Sequence, residues 1–119
     1  MWRAASLAYS LNAAIETRPH APTLVMLSGE LDAMNAPSVE QMLDDVVRAD
    51  APSVDVDMTG VTFMDAAGLR VLRRTAMRAA GYAGQLVLCA TTPNIDRVLD
   101  LAGFEGPPGG PRGLRAVDL

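Results

Sequence analysis

The sequence predicts an α/β fold: a small mixed sheet in the order β-β-α-β-α-β-α, with helices packed on one face. Three observations predict it. Short apolar runs with period-two alternation recur between longer segments whose apolar residues fall at helical spacing. These segments follow one another in the order just given. Two of the connections between strands are long enough to hold a helix, which makes the strands they join parallel. With so few strands, one shared helical layer buries the most apolar surface.

The N-terminal MWRAASLAYSL, whose apolar residues are interrupted by Ser10 and Asn12, reads as a first strand rather than a signal peptide. That strand runs from Leu7 to Glu16. Arg18-Pro19-His20-Ala21-Pro22 turns the chain, and Thr23 to Gly29 completes a hairpin. Asn35 N-caps a first helix whose Val39, Met42, Leu43 and Val46 share a face, opposite Glu40, Asp44 and Arg48. This helix ends near Asp50-Ala51-Pro52. From Ser53 to Met58 the pattern alternates, with Val54, Val56 and Met58 on one side and Asp55 and Asp57 on the other, and Thr59-Gly60 bounds it. Asp65 caps a second helix with Leu69, Leu72 and Ala76 as its buried stripe, stopping around Gly81 and Gly84. Gln85 to Ala90 is the next strand. Thr92 and Pro93 open a third helix, which buries Ile95, Val98, Leu99 and Ala102 and stops at Gly103. A single domain thus spans residues 1–104. Residues 105–119 begin Glu105-Gly106-Pro107-Pro108-Gly109-Gly110-Pro111 and are expected to form a flexible Gly/Pro-rich tail. Leu114 to Leu119 offers at most one short element.

The 119 residues suit one domain with one core, and 50% hydrophobic, 4% aromatic and 20% charged residues describe aliphatic globular packing. A net charge of −4 argues against nucleic acid, which needs a basic face to neutralise phosphates. No apolar run approaches a membrane span, so no membrane insertion is expected. Cys89 is the one cysteine, which excludes an intrachain disulfide and suits a reducing cytoplasm. It lies in an apolar strand, where a thiol behaves as a small hydrophobe.

Catalytic chemistry finds few candidates. The one histidine, His20, stands in a proline-rich loop, away from any triad arrangement. One His and one Cys in distant segments give no metal-ligand spacing. All ten basic residues are arginine, so a lysine-bearing phosphate loop is excluded. Asp32, Asp57 and Asp65 fall near strand ends, where ligand sites of open α/β sheets gather. A phospho-acceptor receiver would need a lysine, and capping explains Asp32 and Asp57 equally well. Arg70, Arg74 and Arg78, with Arg73 beside them, make a basic stripe. It reads either as a solvated face or as a contact surface for an acidic partner. No enzyme activity and no cofactor follow from this set.

Several segments nevertheless share one pattern: Ser28-Gly29-Glu30-Leu31-Asp32, then Asp57-Met58-Thr59-Gly60-Val61, then Phe63-Met64-Asp65-Ala66-Ala67-Gly68-Leu69, then Pro93 and Leu99 through Gly103-Phe104. Together these resemble the STAS domain of bacterial anti-sigma factor antagonists, over roughly Leu7 to Phe104. The resemblance implies a STAS-like fold and a binding protein that sequesters an anti-sigma factor, typically a serine kinase, and so frees a sigma factor. It implies contacts from the turn before the second helix and its first turns, which places Asp32, Asn35, Met64, Asp65, Ala66, Ala67, Gly68, Leu69, Arg70, Arg73 and Arg74 at the partner surface. In the family the serine after the motif aspartate is phosphorylated, and the phosphate breaks the complex. That position is Ala66, which has no hydroxyl, so the usual switch is absent and the implied antagonist is non-phosphorylatable. The alternative is a STAS module serving as a structural or ligand-sensing subunit of a transporter or signalling assembly. The family usually continues with a last strand and helix after the Gly-Phe. With a Gly/Pro tail there, either the sheet is one strand short or Leu114 to Leu119 returns as an edge, and a bared edge would be open to a weak homodimer.

Overall fold

A computed structural model describes residues 1–6, 10–49 and 53–114 of the chain. The strands are β1 (Trp2–Ser6), β2 (Leu11–Glu16), β3 (Thr23–Leu31), β4 (Val54–Met64), β5 (Leu86–Ala90), β6 (Phe104–Glu105) and β7 (Arg112–Leu114). The helices are α1 (Ala36–Ala49), α2 (Ala66–Gly81) and α3 (Pro93–Leu101). All seven strands join one sheet in the order β1-β2-β3-β4-β5-β7-β6. β3, β4 and β5 are parallel, and the outer pairings are antiparallel.

Alternation decides which face is covered. Leu11, Ala13 and Ile15 of β2, Val25, Leu27 and Leu31 of β3, Val54, Val56 and Met58 of β4, and Leu86 and Leu88 of β5 are all buried. The intervening Asn12, Met26 and Ser28 stay exposed, and Asp55 and Asp57 are half-exposed. The helices therefore lie on one face, as expected. α1 contributes Val39, Leu43, Val46 and Val47 to the core, and α2 contributes Val71, Leu72, Ala76 and Ala79. The α2 stripe is turned from its expected position, since Leu69 is half-buried and Gly68 and Thr75 are inside. α3 inserts Ile95 and Leu99, with Val98 and Ala102 at its margin. Thr92 holds the N-cap position of α3 without a side-chain capping bond.

The strand expected over Leu7–Glu16 is instead the second arm of a hairpin. Trp2–Ser6 pairs with Leu11–Glu16, and Ser10 carries a φ of 60° at the junction. Residues 7–9 lie outside the described residues, as do 50–52, where the end of the first helix was expected. β3 and β4 also run further than their alternation suggests, to Leu31 and Met64. Gly29 makes that possible: with φ 113°, a Cβ there would sit 2.0 Å from the Ser10 carbonyl oxygen.

The tail departs most from its expectation. Within the described residues Phe104–Glu105 and Arg112–Leu114 are strands, and β7 pairs with β5 through Val87 and Leu88, so β5 is not an edge. Arg112 anchors this hairpin. It is 3% exposed, and its Nε sits 2.8 Å from Oδ1 of Asp96, itself 7% exposed on α3. It also pairs with Asp100 and donates to the Phe104 carbonyl at 3.2 Å. Asp96 accepts from the Thr91 hydroxyl and, at 3.0 Å, from the Gly109 amide. Burial pushes the Asp96 carboxyl up. The bonds from Thr91 and Gly109 and the Arg112 guanidinium together outweigh it and hold its pKa below the ordinary value. Residues 115–119, which with Leu114 offer a further short element, lie outside the described residues.

Candidate docking site

The site begins with a capping bond. Asp65 leaves β4 in an extended conformation, and its Oδ1 accepts from the amides of Ala67 at 2.9 Å and Gly68 at 3.1 Å. These are N–H groups that the first turn of α2 cannot satisfy itself. Its other oxygen, Oδ2, accepts from the Ala33 amide at 3.3 Å, and its own amide donates to the Leu31 carbonyl at 3.2 Å. One carboxylate thus ties the start of α2 to the loop between β3 and α1. Asp32 shapes that loop by accepting from the Met34 amide at 3.0 Å. Asn35 locks it: Oδ1 accepts from the Asp32 amide at 3.0 Å and Nδ2 donates to the Glu30 carbonyl at 2.7 Å.

The sequence-predicted residues therefore divide by exposure. Ala66, Arg70 and Arg74 are exposed on α2, and Asp32, Asp65, Ala67, Leu69 and Arg73 are half-exposed. Asn35, Met64 and Gly68 are buried, so they position the surface instead of contacting anything on it. Gly68 does so by close approach. A Cβ there would lie 2.6 Å from Leu31 Cγ and 2.9 Å from the Leu31 carbonyl oxygen. Gly68→Ala ordinarily gains up to about 1 kcal/mol in helix propensity. Overpacking a tight contact costs about 1–3 kcal/mol, and here the contact includes backbone. The clash wins, so Gly68→Ala should lower the urea midpoint at unchanged m-value; a raised midpoint would refute the close packing.

The arginine stripe is not uniform. Arg78 pairs with Asp44 and, at 2.9 Å, with Glu40; Arg74 reaches Glu40 at 3.4 Å. Arg73 donates to the Ala102 carbonyl at 2.7 Å, joining α2 to the end of α3. These three bind the helical layer together, and among the described residues Arg70 is left as the outward cation nearest Ala66 in sequence. Two residues that sequence reasoning passed over flank the turn: Met34 is 60% exposed and Phe63 48%. Their signal was positional, since each stands within two residues of an aspartate of the pattern. Cys89 lies elsewhere, half-buried in β5. Burial pushes its thiol pKa up, and the Asp55 and Asp57 carboxylates push it further, so the thiol stays protonated at neutral pH.

The turn thus combines a capped helix start with small residues at its tip, and exposed Met34 and Phe63 lie within two residues of its aspartates. The chain belongs to the STAS domain family, whose model matches residues 12–107. As a STAS domain it is a binding module and not an enzyme. It is 28% identical over 96 residues to the anti-sigma F factor antagonist of Paenibacillus polymyxa, covering 79% of this chain and 82% of that one. The crystal structure of an anti-sigma factor antagonist from Mycobacterium paratuberculosis superposes with a TM-score of 0.70 at 29% identity, covering 79% of each chain. The unphosphorylated anti-sigma factor antagonist SpoIIAA shares the fold, with a TM-score of 0.68 at 17% identity over 76% of this chain and 80% of that one. Among the described residues no helix is long and apolar enough to cross a membrane.

Proposed function

We propose that this chain is a cytoplasmic anti-sigma factor antagonist that docks through the Asp65–Arg70 turn onto a serine-kinase-type anti-sigma factor and frees a sigma factor, without being switched off by phosphorylation. The observation that carries the reading is Ala66: exposed, at the first position of α2, on a turn held by three hydrogen bonds to the Asp65 carboxylate. The resemblance puts a phosphorylatable serine at this position, and the Ala66 side chain has no oxygen to accept a phosphoryl group. The names of the relatives support the general role. Control then falls to the amount of the protein or to another ligand.

The test uses purified protein and the kinase-type anti-sigma factors of its own organism, with and without ATP. The wild type is expected to form a complex that survives ATP. Ala66→Ser, which restores the hydroxyl, should take up phosphate and be released. Failure of the wild type to bind any of these factors overturns the reading. Phosphate on the wild type would leave docking in place and remove the claim of a missing switch.

A further inference from the structure

The two edges of the sheet differ. β6 is two residues long and is followed at once by Gly106-Pro107-Pro108. β1 is five residues long, contains no proline, and among the described residues pairs with β2 alone. Short strands and prolines protect an edge, and β1 has neither.

Which backbone groups β1 leaves open follows from its ladder. The Met1 nitrogen donates to the Thr17 carbonyl at 3.0 Å, and the Thr17 amide donates to the Met1 carbonyl at 2.9 Å. The register then continues without a bulge from Trp2↔Glu16 to Ser6↔Asn12. Antiparallel ladders alternate, so Met1, Arg3 and Ala5 bond inward to β2. The N–H and C=O groups of Trp2, Ala4 and Ser6 point out from the sheet.

We propose that this edge pairs with the same edge of a second copy, antiparallel about a two-fold axis at Ala4. With Ala4 opposite Ala4, Trp2 stands opposite Ser6 of the second copy, and each outward residue joins a narrow pair that exchanges two hydrogen bonds. Arg3 then faces the Ala5 position. Sliding one pairing step toward the N-terminus sets Arg3 directly against Arg3, a like-charge cross-strand pair, and loses the Ser6 bonds. Sliding the other way leaves Trp2 with no partner among the described residues. One register therefore satisfies the whole edge without opposing charges, and that self-complementarity selects a second copy over an unrelated strand. The axis runs perpendicular to the sheet, so the helices of both copies lie on one side. The α2 turn follows β4, three strand spacings of about 4.8 Å from β1. Both turns remain uncovered, one on either side of the axis, and the dimer presents two docking surfaces.

Sedimentation equilibrium of the purified chain over rising concentration tests this, read beside the emission of Trp2, the single tryptophan. So short an interface predicts weak association, with a dissociation constant on the order of 10 μM to 1 mM, and a blue shift of Trp2 as the mass rises. Ala4→Pro removes an outward N–H and no bond to β2. It should weaken association at least roughly tenfold while leaving the thermal midpoint unchanged. Hydrogen exchange on the wild type is the second measurement: the Ala4 amide should slow as concentration rises. A monomer at every concentration to about 1 mM overturns the proposal. So does an Ala4→Pro variant that associates like the wild type, or an Ala4 amide indifferent to concentration.

Discussion

Replacing Ala66 by glutamate should abolish docking while leaving the domain at least as stable as the wild type. The two effects come from one charge in two environments. In the free protein, residue 66 is exposed at the first turn of α2, next to N–H groups that carry the positive end of the helix dipole. A carboxylate there is favourable by about 0.3–1 kcal/mol. In the proposed complex the same carboxylate is covered by a partner surface shaped for a methyl group. An unpaired buried charge costs about 3–5 kcal/mol, and at 1.4 kcal/mol per factor of ten the affinity falls by more than roughly 100-fold. Calorimetric titration against the anti-sigma factor, with thermal melts of the free proteins, separates docking from folding. Loss of binding with an equal or higher melting temperature is the expected pair of results. Unchanged affinity would remove Ala66 from the interface, and a lowered melting temperature would contradict the capping geometry.

The second large effect is expected at Arg112. Arg112→Met leaves the Asp96 carboxylate buried without its cation, and breaking a buried pair from one side costs about 3–5 kcal/mol. Against the 5–15 kcal/mol typical of a whole domain that is a large share, and it should lower the melting temperature by roughly 10–20 °C. The exposed Asp100 contributes little to this loss, being mostly in solvent. Adding Asp96→Leu to Arg112→Met should recover part of it, because the stranded charge goes with its partner. If the single variant melts with the wild type, Arg112 is not holding the hairpin. The same pair sets an acid dependence. The folded Asp96 pKa lies below its unfolded value of about 3.9, so the stability it contributes is present above that value and is lost as pH falls through the folded pKa. The wild type should therefore lose more stability below about pH 4 than the Arg112→Met/Asp96→Leu variant does.

Much of this protein was legible residue by residue along the chain. Asp65 caps α2 because its carboxylate reaches amides two and three positions ahead. Gly103, Pro93 and the spacing of Val39, Leu43 and Val46 mark helix limits and faces for equally local reasons. The covered and open sides of the sheet follow from alternation, and with them the α/β class. What could not be read are the links between distant segments. Nothing near Asp65 announces its bond to Ala33, 32 positions earlier. Arg74 and Arg78 have the spacing of a free basic face, yet Glu40 of α1 pairs with both from 34 and 38 positions away. Arg112 sits in a Gly/Pro stretch with no periodicity, and it becomes structural because α3 brings Asp96 beneath it. Trp2–Ser6 has no clear alternation and is a strand because β2 offers it a row of backbone partners. Caps, turns and faces have causes that span a few residues and so are written in order along the chain. Ion pairs, latches and sheet edges depend on which segments the folded core sets side by side.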